Sequence, residues 1–227
     1  EAADYTLIIA PDFDEHLLRI STFVKGFGGR LLSPAPEFIL LTANKHGTAQ
    51  YLADRGVNVP QGILLKLGER PPNDFPCPAV YKPCHGAGSV DVQLLRSCAE
   101  VEGLELIESP ARLEKFHPGT PVSVSGLCGP LGATLLPPTQ QWLSSDGKFS
   151  YLGGACPLSP ELESRALRIA EQAFAALPTT VGYVGMDLVL GEDSGGSEDV
   201  VIEVNPRLTT SYVGLRAMLS ENLAGAM

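Results

Sequence analysis

The sequence predicts an α+β fold, and three observations carry that prediction. Near the C-terminal end, residues 182–190 and 199–205 read as two strands joined by a glycine- and serine-rich hairpin loop at 191–197. Upstream, residues 122–127, 133–143 and 149–152 form an antiparallel set, with turn signals at Gly129-Pro130 and Asp146-Gly147. Between these groups lies one strongly amphipathic helix over 160–177. Of the 227 residues 44% are hydrophobic, enough for a substantial core in one large or two modest domains.

The elements follow in order. Residues 5–10 (YTLIIA) read as a short buried strand ended by Pro11. Residues 12–25 have helical spacing in Leu17, Leu18, Ile20, Phe23 and Val24, closed by Gly26. A second apolar run ends at 40–42. This opening, residues 1–43, reads as the tail of an α/β domain, because one βαβ unit cannot bury both faces of its sheet. The first residue is Glu1 rather than Met, so an upstream piece is expected.

Asn44 is a good N-cap for a helix over 45–55, with Gly56 past its end. An extended piece at 57–62 and a proline-rich loop at 68–78 lead to a short strand, 79–82, stopped by Pro83. A small-residue loop, His85-Gly86-Ala87-Gly88-Ser89, precedes a strand over 90–95. Further strands are expected at 104–107 and 112–116, on either side of Pro110. Ser159 caps the long helix and Pro160 takes its first position. Leu162, Ala166, Ile169, Ala170, Ala173 and Leu177 make its apolar face. A helix over 213–227 ends the chain, and Trp142 is assigned to the core.

Composition narrows the classes of function. A net charge of −10 argues against non-specific nucleic-acid binding, where a basic face supplies the affinity. No apolar run approaches the roughly 18 residues of a membrane span, and no secretory leader is present, so a cytoplasmic protein is expected. Five cysteines, odd in number and without a CxxC pair, read as reduced thiols. Cys84, beside the glycine loop, is the candidate if one of them is a nucleophile.

The chemistry concentrates in 199–214. Strand alternation puts Val200 and Ile202 on one face and Val201 and Glu203 on the other, so Glu203 and Asn205 point the same way. Asp187 lies on the neighbouring strand. Two carboxylates and a carboxamide make an oxygen-only cage, which suits Mg²⁺ or Mn²⁺ shared with phosphate oxygens. Arg207, fixed behind Pro206, can hold an anion beside the metal. Gly86, Ala87, Gly88 and Ser89 allow backbone N–H groups to approach phosphate oxygens. The loop is not a Walker motif, since no Gly-Lys-Ser/Thr follows. Lys82 stands at a strand end. Lys45 stands at a helix start, where a cation opposes the dipole and so favours a functional role. The bland alternatives are a tight turn at the loop, solvated lysines and a polar strand face. Three inward oxygen donors beside an arginine argue against the last, being costly to bury without a cation.

At these separations the order resembles the ATP-grasp superfamily. The matching residues are Asn44-Lys45, Tyr81-Lys82-Pro83, Gly86 to Ser89, Leu113-Glu114-Lys115-Phe116, Gly185-Met186-Asp187-Leu188 and Glu203-Val204-Asn205-Pro206-Arg207. The tail LTTSYVGLR, with YLGG and IAPD, is similar to the tyramine–glutamate ligase-like branch. The resemblance implies two α+β lobes clasping ATP, a small one over 44–116 and a large one over 117–227. Lys45 and Lys82 would contact the phosphates, with Lys82 also reaching the adenine side. The 86–89 loop would close over the β- and γ-phosphates. Glu114, Lys115 and Phe116, with His117, would form the adenine hinge. Asp187, Glu203 and Asn205 would hold the metal, and Arg207 would steady the transferring phosphoryl group. Pro121 or Thr120 stands where many relatives place an acid for the ribose. The implied activity is ATP-dependent joining of a small-molecule carboxylate, such as glutamate, to an amine through an acyl phosphate. Its implied setting is methanofuran- or methanopterin-type one-carbon cofactor synthesis. A catalytically inactive ATP-binding regulatory or partner subunit is the alternative, and a homo-oligomer is left open.

Overall fold

In the computed structural model, which describes residues 4–10, 15–104 and 109–227, side-chain caps start the helices that brace the sheets. Asn44 Oδ1 accepts from the Gly47 N–H at 2.8 Å and opens α3 (Lys45–Ala53). Ser159 Oγ accepts from the Leu162 N–H at 3.4 Å, and Pro160 begins α5 (Pro160–Ala176). Such caps contribute about 1 kcal/mol each. Before them come α1 (His16–Gly26) and α2 (Pro36–Ala43).

Two antiparallel sheets follow. The smaller contains β1 (Gly62–Leu65), β2 (Ala79–Pro83), β3 (Gln93–Leu95) and β4 (Ala111–Lys115), in the order β1-β4-β2-β3. Leu65, Phe75, Ala79, Leu95, Ala111 and Leu113 form its core, with Val101 from α4 (Cys98–Glu102). The larger contains β5 (Thr120–Gly129), β7 (Thr139–Leu143), β8 (Tyr151–Ala155), β9 (Gly182–Leu190) and β10 (Val200–Asn205), in the order β10-β9-β5-β7-β8, while β6 (Gly132–Leu135) pairs with β5. Its main core lies under α5. There Ala166, Ile169, Ala170 and Ala173 meet Val122, Val124, Met186, Leu188, Val201 and Val204. Two terminal helices, α6 (Ser211–Met218) and α7 (Leu223–Ala226), cover Tyr183 and Leu136.

Several expectations are corrected. Residues 5–10 form no strand; among the described residues their pairing is a single parallel bridge that joins Thr6 to Leu31. The expected strand at 104–107 lies, apart from Leu104, outside the described residues, as do residues 12–14 of the first helix. The strand expected over 90–95 shortens to β3, because Ser89 and Asp91 adopt φ of 59° and 58°. Pro137 and Pro138, which lack N–H donors, separate β6 from β7. The last helix is two: the chain turns extended at Leu219, and Asn222 caps a new start. Trp142 is not core but 52% exposed, lying on the outer face of the edge hairpin against its cross-strand partner Gly153. Val201 does not share the Glu203 face. A β-bulge at Ile202 shifts the register between them, so Val201 and Val204 both enter the core.

Candidate functional site

The same bulge leaves Glu203 and Asn205 two residues apart on the cleft side of β10. Cross-strand pairing then sets Glu203 opposite Asp187 and Asn205 opposite Gly185. The Asn205 carboxamide donates from Nδ2 to Asp187 Oδ2 at 3.0 Å. Gln141 on β7 donates from Nε2 to Asp187 Oδ1 at 2.9 Å. Burial, with the Glu203 charge adding to it, raises the Asp187 carboxyl to about 6, against the pull of these two donors. Arg207 donates to Asn205 Oδ1 at 3.1 Å and to the Leu208 carbonyl at 3.3 Å. Its Nε is buried and without a partner.

The smaller sheet brings the cations. Lys82 Nζ lies 2.6 Å from Glu114 Oε1 and donates to the Ile202 carbonyl of the other sheet at 3.3 Å. Arg112 Nε donates to Glu114 Oε2 at 2.6 Å. Its remaining nitrogens reach the Pro60 carbonyl at 2.6 Å and His46 Nδ1 at 3.1 Å. Burial, then the Arg112 charge, lowers the His46 pKa, so the ring accepts as neutral imidazole. One carboxylate thus faces two buried cations, leaving net positive charge beside the cleft. Lys45, at the start of α3, donates to the Gly86 carbonyl at 2.5 Å and lies 3.4 Å from Glu203. In the loop Gly86 and Gly88 hold φ of 107° and 71°, with open space where a Cβ would stand.

Between the sheets is a cavity of about 420 Å³. Lys45, Lys82, Gly86, Ala87, Gly88, Ser89, Glu114, Lys115, Phe116, Asp187, Glu203, Asn205 and Arg207 all line it. The structure therefore brings together the residues given phosphate, hinge and metal roles from the sequence, while Cys84 lies outside the lining. The Glu114 carboxylate is engaged by Lys82 and Arg112, and Lys115 is exposed at the rim. His117 reaches the Glu198 carbonyl through Nε2. Cys84 is fully buried, and burial pushes its thiol pKa up, which removes it as a nucleophile.

Among the described residues no group of three or more His, Cys, Asp or Glu could hold a metal. Asp187, Glu203 and Asn205 offer two carboxylates and a carboxamide. That donor set fits Mg²⁺, which commonly takes one or two carboxylates and completes its shell from phosphates and water. The buried Arg207 Nε, which has no partner among the described residues, fits an anion such as a phosphate oxygen beside those side chains.

Arg112, His46 and Phe149 were not anticipated. The i, i+2 spacing of Arg112 and Glu114 places both side chains on one strand face and was a usable signal. Nothing local marks His46 or Phe149. Gln141 on β7 also lines the cleft.

Two antiparallel sheets closing on a cleft with lysines, a glycine loop and paired strand carboxylates define a class. The ATP-grasp domain model matches residues 42–211, and the chain belongs to the ATP-grasp family. It is similar to the tyramine–L-glutamate ligase of Methanocaldococcus jannaschii, with 26% identity over 95% of this chain and 59% of that protein. The Methanocaldococcus fervens protein of the same name is 24% identical, over 95% of this chain and 62% of its own length. The chain thus spans about three fifths of the curated relatives it matches. A crystal structure assigned to the ATP-grasp superfamily, from Archaeoglobus fulgidus, superimposes with a TM-score of 0.77 at 25% identity, covering 99% of this chain and 64% of that one.

Proposed function

We propose that the protein is an ATP-dependent carbon–nitrogen ligase that activates a carboxylate as an acyl phosphate and joins it to an amine. The observation that carries this reading is the convergence of Lys45, Lys82, the 86–89 loop, Asp187, Glu203, Asn205 and Arg207 on one cleft. Residues 44–116 and 117–227 are read as its two lobes.

A carboxylate resists attack because its oxygen is a poor leaving group. Attack of that oxygen on the γ-phosphorus of ATP, with release of ADP, supplies a better one. The amine nitrogen then bonds to the acyl carbon, phosphate departs, and the nitrogen loses its proton. Phosphoryl transfer depends chiefly on positioning and charge neutralisation. Asp187, Glu203 and Asn205 are the residues to hold Mg²⁺, which when bound neutralises charge on the triphosphate. Lys45 and Lys82 bear on the phosphates. The unpartnered Arg207 Nε faces charge developing on the transferred group. The glycine loop excludes water that would otherwise hydrolyse the acyl phosphate.

The narrower reading takes its acyl group and amine from the names of the tyramine–L-glutamate ligase relatives: glutamyl transfer to an aromatic or furan-bearing amine, with methanofuran-type one-carbon cofactor synthesis as the setting we propose. The test is ADP release and amide formation, followed by mass spectrometry, with ATP, Mg²⁺, L-glutamate and a panel of amines including tyramine. Product that requires Asn205 and Arg207 supports the ligase. Nucleotide binding without turnover on any amine favours the inactive ATP-binding subunit instead, and absence of nucleotide binding removes both.

A further inference from the structure

The turn between β7 and β8, residues 144–150, belongs to the larger sheet, yet it is tied to the smaller one. The Leu94 N–H on edge strand β3 donates to the Gly147 carbonyl at 2.8 Å, and Gly147 is buried there. Arg96 reaches the Ser145 carbonyl at 3.5 Å. Ser89 Oγ, in the glycine loop, donates to the Phe149 carbonyl at 3.0 Å. The Phe149 ring lies 6.3 Å from that of Phe116, with planes 19° apart, and both rings line the cleft.

Ser89 and Phe149 meet under strain. Their φ angles are 59° and 54°, a region that residues with a Cβ enter only when their surroundings hold them there. The turn is stiff: Asp146 Oδ1 accepts from Ser144 Oγ at 2.6 Å and the Lys148 N–H at 3.0 Å, and Ser144 Oγ accepts from the Ser150 N–H at 2.9 Å. A stiff turn carries a displacement of the Phe149 ring to its own carbonyl, and from there to Ser89.

We propose, resting on the nucleotide-binding reading above, that Phe149 couples recognition of the base to closure of the phosphate loop. Its ring and that of Phe116 are near-parallel aromatic faces in the cleft wall, on which a planar purine stacks. Its carbonyl holds Ser89, so the glycine loop is drawn over the phosphates only while the hairpin tip is docked on β3. A triphosphate without a base does not engage this coupling.

The test compares the whole protein with Mg²⁺ and either a non-hydrolysable ATP analogue or inorganic tripolyphosphate. Affinity and hydrogen exchange at residues 86–90 are read together. Phe149→Ala removes one of these faces. Gly147→Val lies outside the cleft lining and undocks the tip, since a Cβ there would stand 3.2 Å from Leu94 Cβ at a φ of 88°. Both variants are expected to bind the analogue about tenfold more weakly, to hold tripolyphosphate within about twofold of wild type, and to lose analogue-induced protection of the loop. Phe149→Tyr is expected to restore both readouts. Unchanged analogue affinity in Phe149→Ala, or full loop protection in Gly147→Val, overturns the coupling while wild-type nucleotide binding stands. Failure of the wild-type protein to bind the analogue overturns the nucleotide reading and this inference together.

Discussion

Asn205 Nδ2 donates to Asp187 Oδ2 over 3.0 Å, across the paired strands β9 and β10. The bond joins two of the three oxygen-bearing side chains of the candidate metal site. It holds a carboxyl group that burial has pushed up to about 6, so in the metal-free protein proton and metal compete for one oxygen pair.

The sign of the resulting pH dependence follows from the folded value lying above the ordinary 3.8. The stabilising contribution of the proton is fully present below about 3.8 and is lost as pH rises through about 6. At about 1.4 kcal/mol per pKa unit the loss is roughly 3 kcal/mol. Asp187→Asn should therefore raise the Tm of the metal-free protein at pH 7.5 and leave it nearly unchanged at pH 4. In wild type, stabilisation by Mg²⁺ with ATP should grow from pH 5 to 7.5, and Asp187→Asn should lack it. Thermal denaturation at the two pH values checks both; an unchanged Tm at pH 7.5 refutes the account.

Arg112 gives the second prediction. It does not line the cleft, but it spans Glu114, the Pro60 carbonyl and His46 Nδ1. Arg112→Met leaves the latter two without their donor and Glu114 with Lys82 alone. A destabilisation of about 3 kcal/mol in urea titrations is expected. Arg112→Lys should recover less than half, because an ammonium point charge cannot serve three acceptors arranged as a fork. Full recovery by lysine would show that charge alone matters there.

Much of the fold was legible where local chemistry decides. Ser159-Pro160 and the apolar stripe gave α5, Asn44 gave the start of α3, and two apolar runs around a glycine- and serine-rich loop gave β9 and β10. The site residues were legible because they sit on short strands, at one helix start and in one loop, where a residue type and a short spacing suffice. The rest depends on tertiary partners. The bulge at Ile202 has no residue that announces it, and it alone moves Val201 into the core. Trp142 is exposed because nothing covers the outer face of an edge hairpin, which composition does not encode. His46 meets Arg112 across 66 positions and Ser89 meets Phe149 across 60, distances over which no periodicity speaks.

The third prediction concerns the support of the hairpin that carries Asp187 and Glu203. Arg165 donates from Nε to Asp199 Oδ2 at 3.2 Å, and its NH2 group bonds Oδ1 of the same carboxylate and the Gly191 carbonyl. The Gly191 N–H donates to Asp199 Oδ1 at 3.0 Å, so one carboxylate closes the base of the loop between β9 and β10. Asp199 is 2% exposed, and its hydrogen bonds raise the Arg165 pKa further, so the cation does not neutralise. Asp199→Ala would leave that cation buried without a counter-charge and the Gly191 N–H without an acceptor, a loss of about 3–5 kcal/mol. Replacing both partners, Arg165→Met with Asp199→Leu, removes the unpaired charge and should lie closer to wild type than Asp199→Ala does. Arg168, half exposed and 3.7 Å from Asp199, should contribute less than about 0.5 kcal/mol when truncated. Denaturant midpoints of the three variants measure this ordering. A double variant as unstable as Asp199→Ala would mean that the loop needs the carboxylate itself, through Gly191, rather than charge balance.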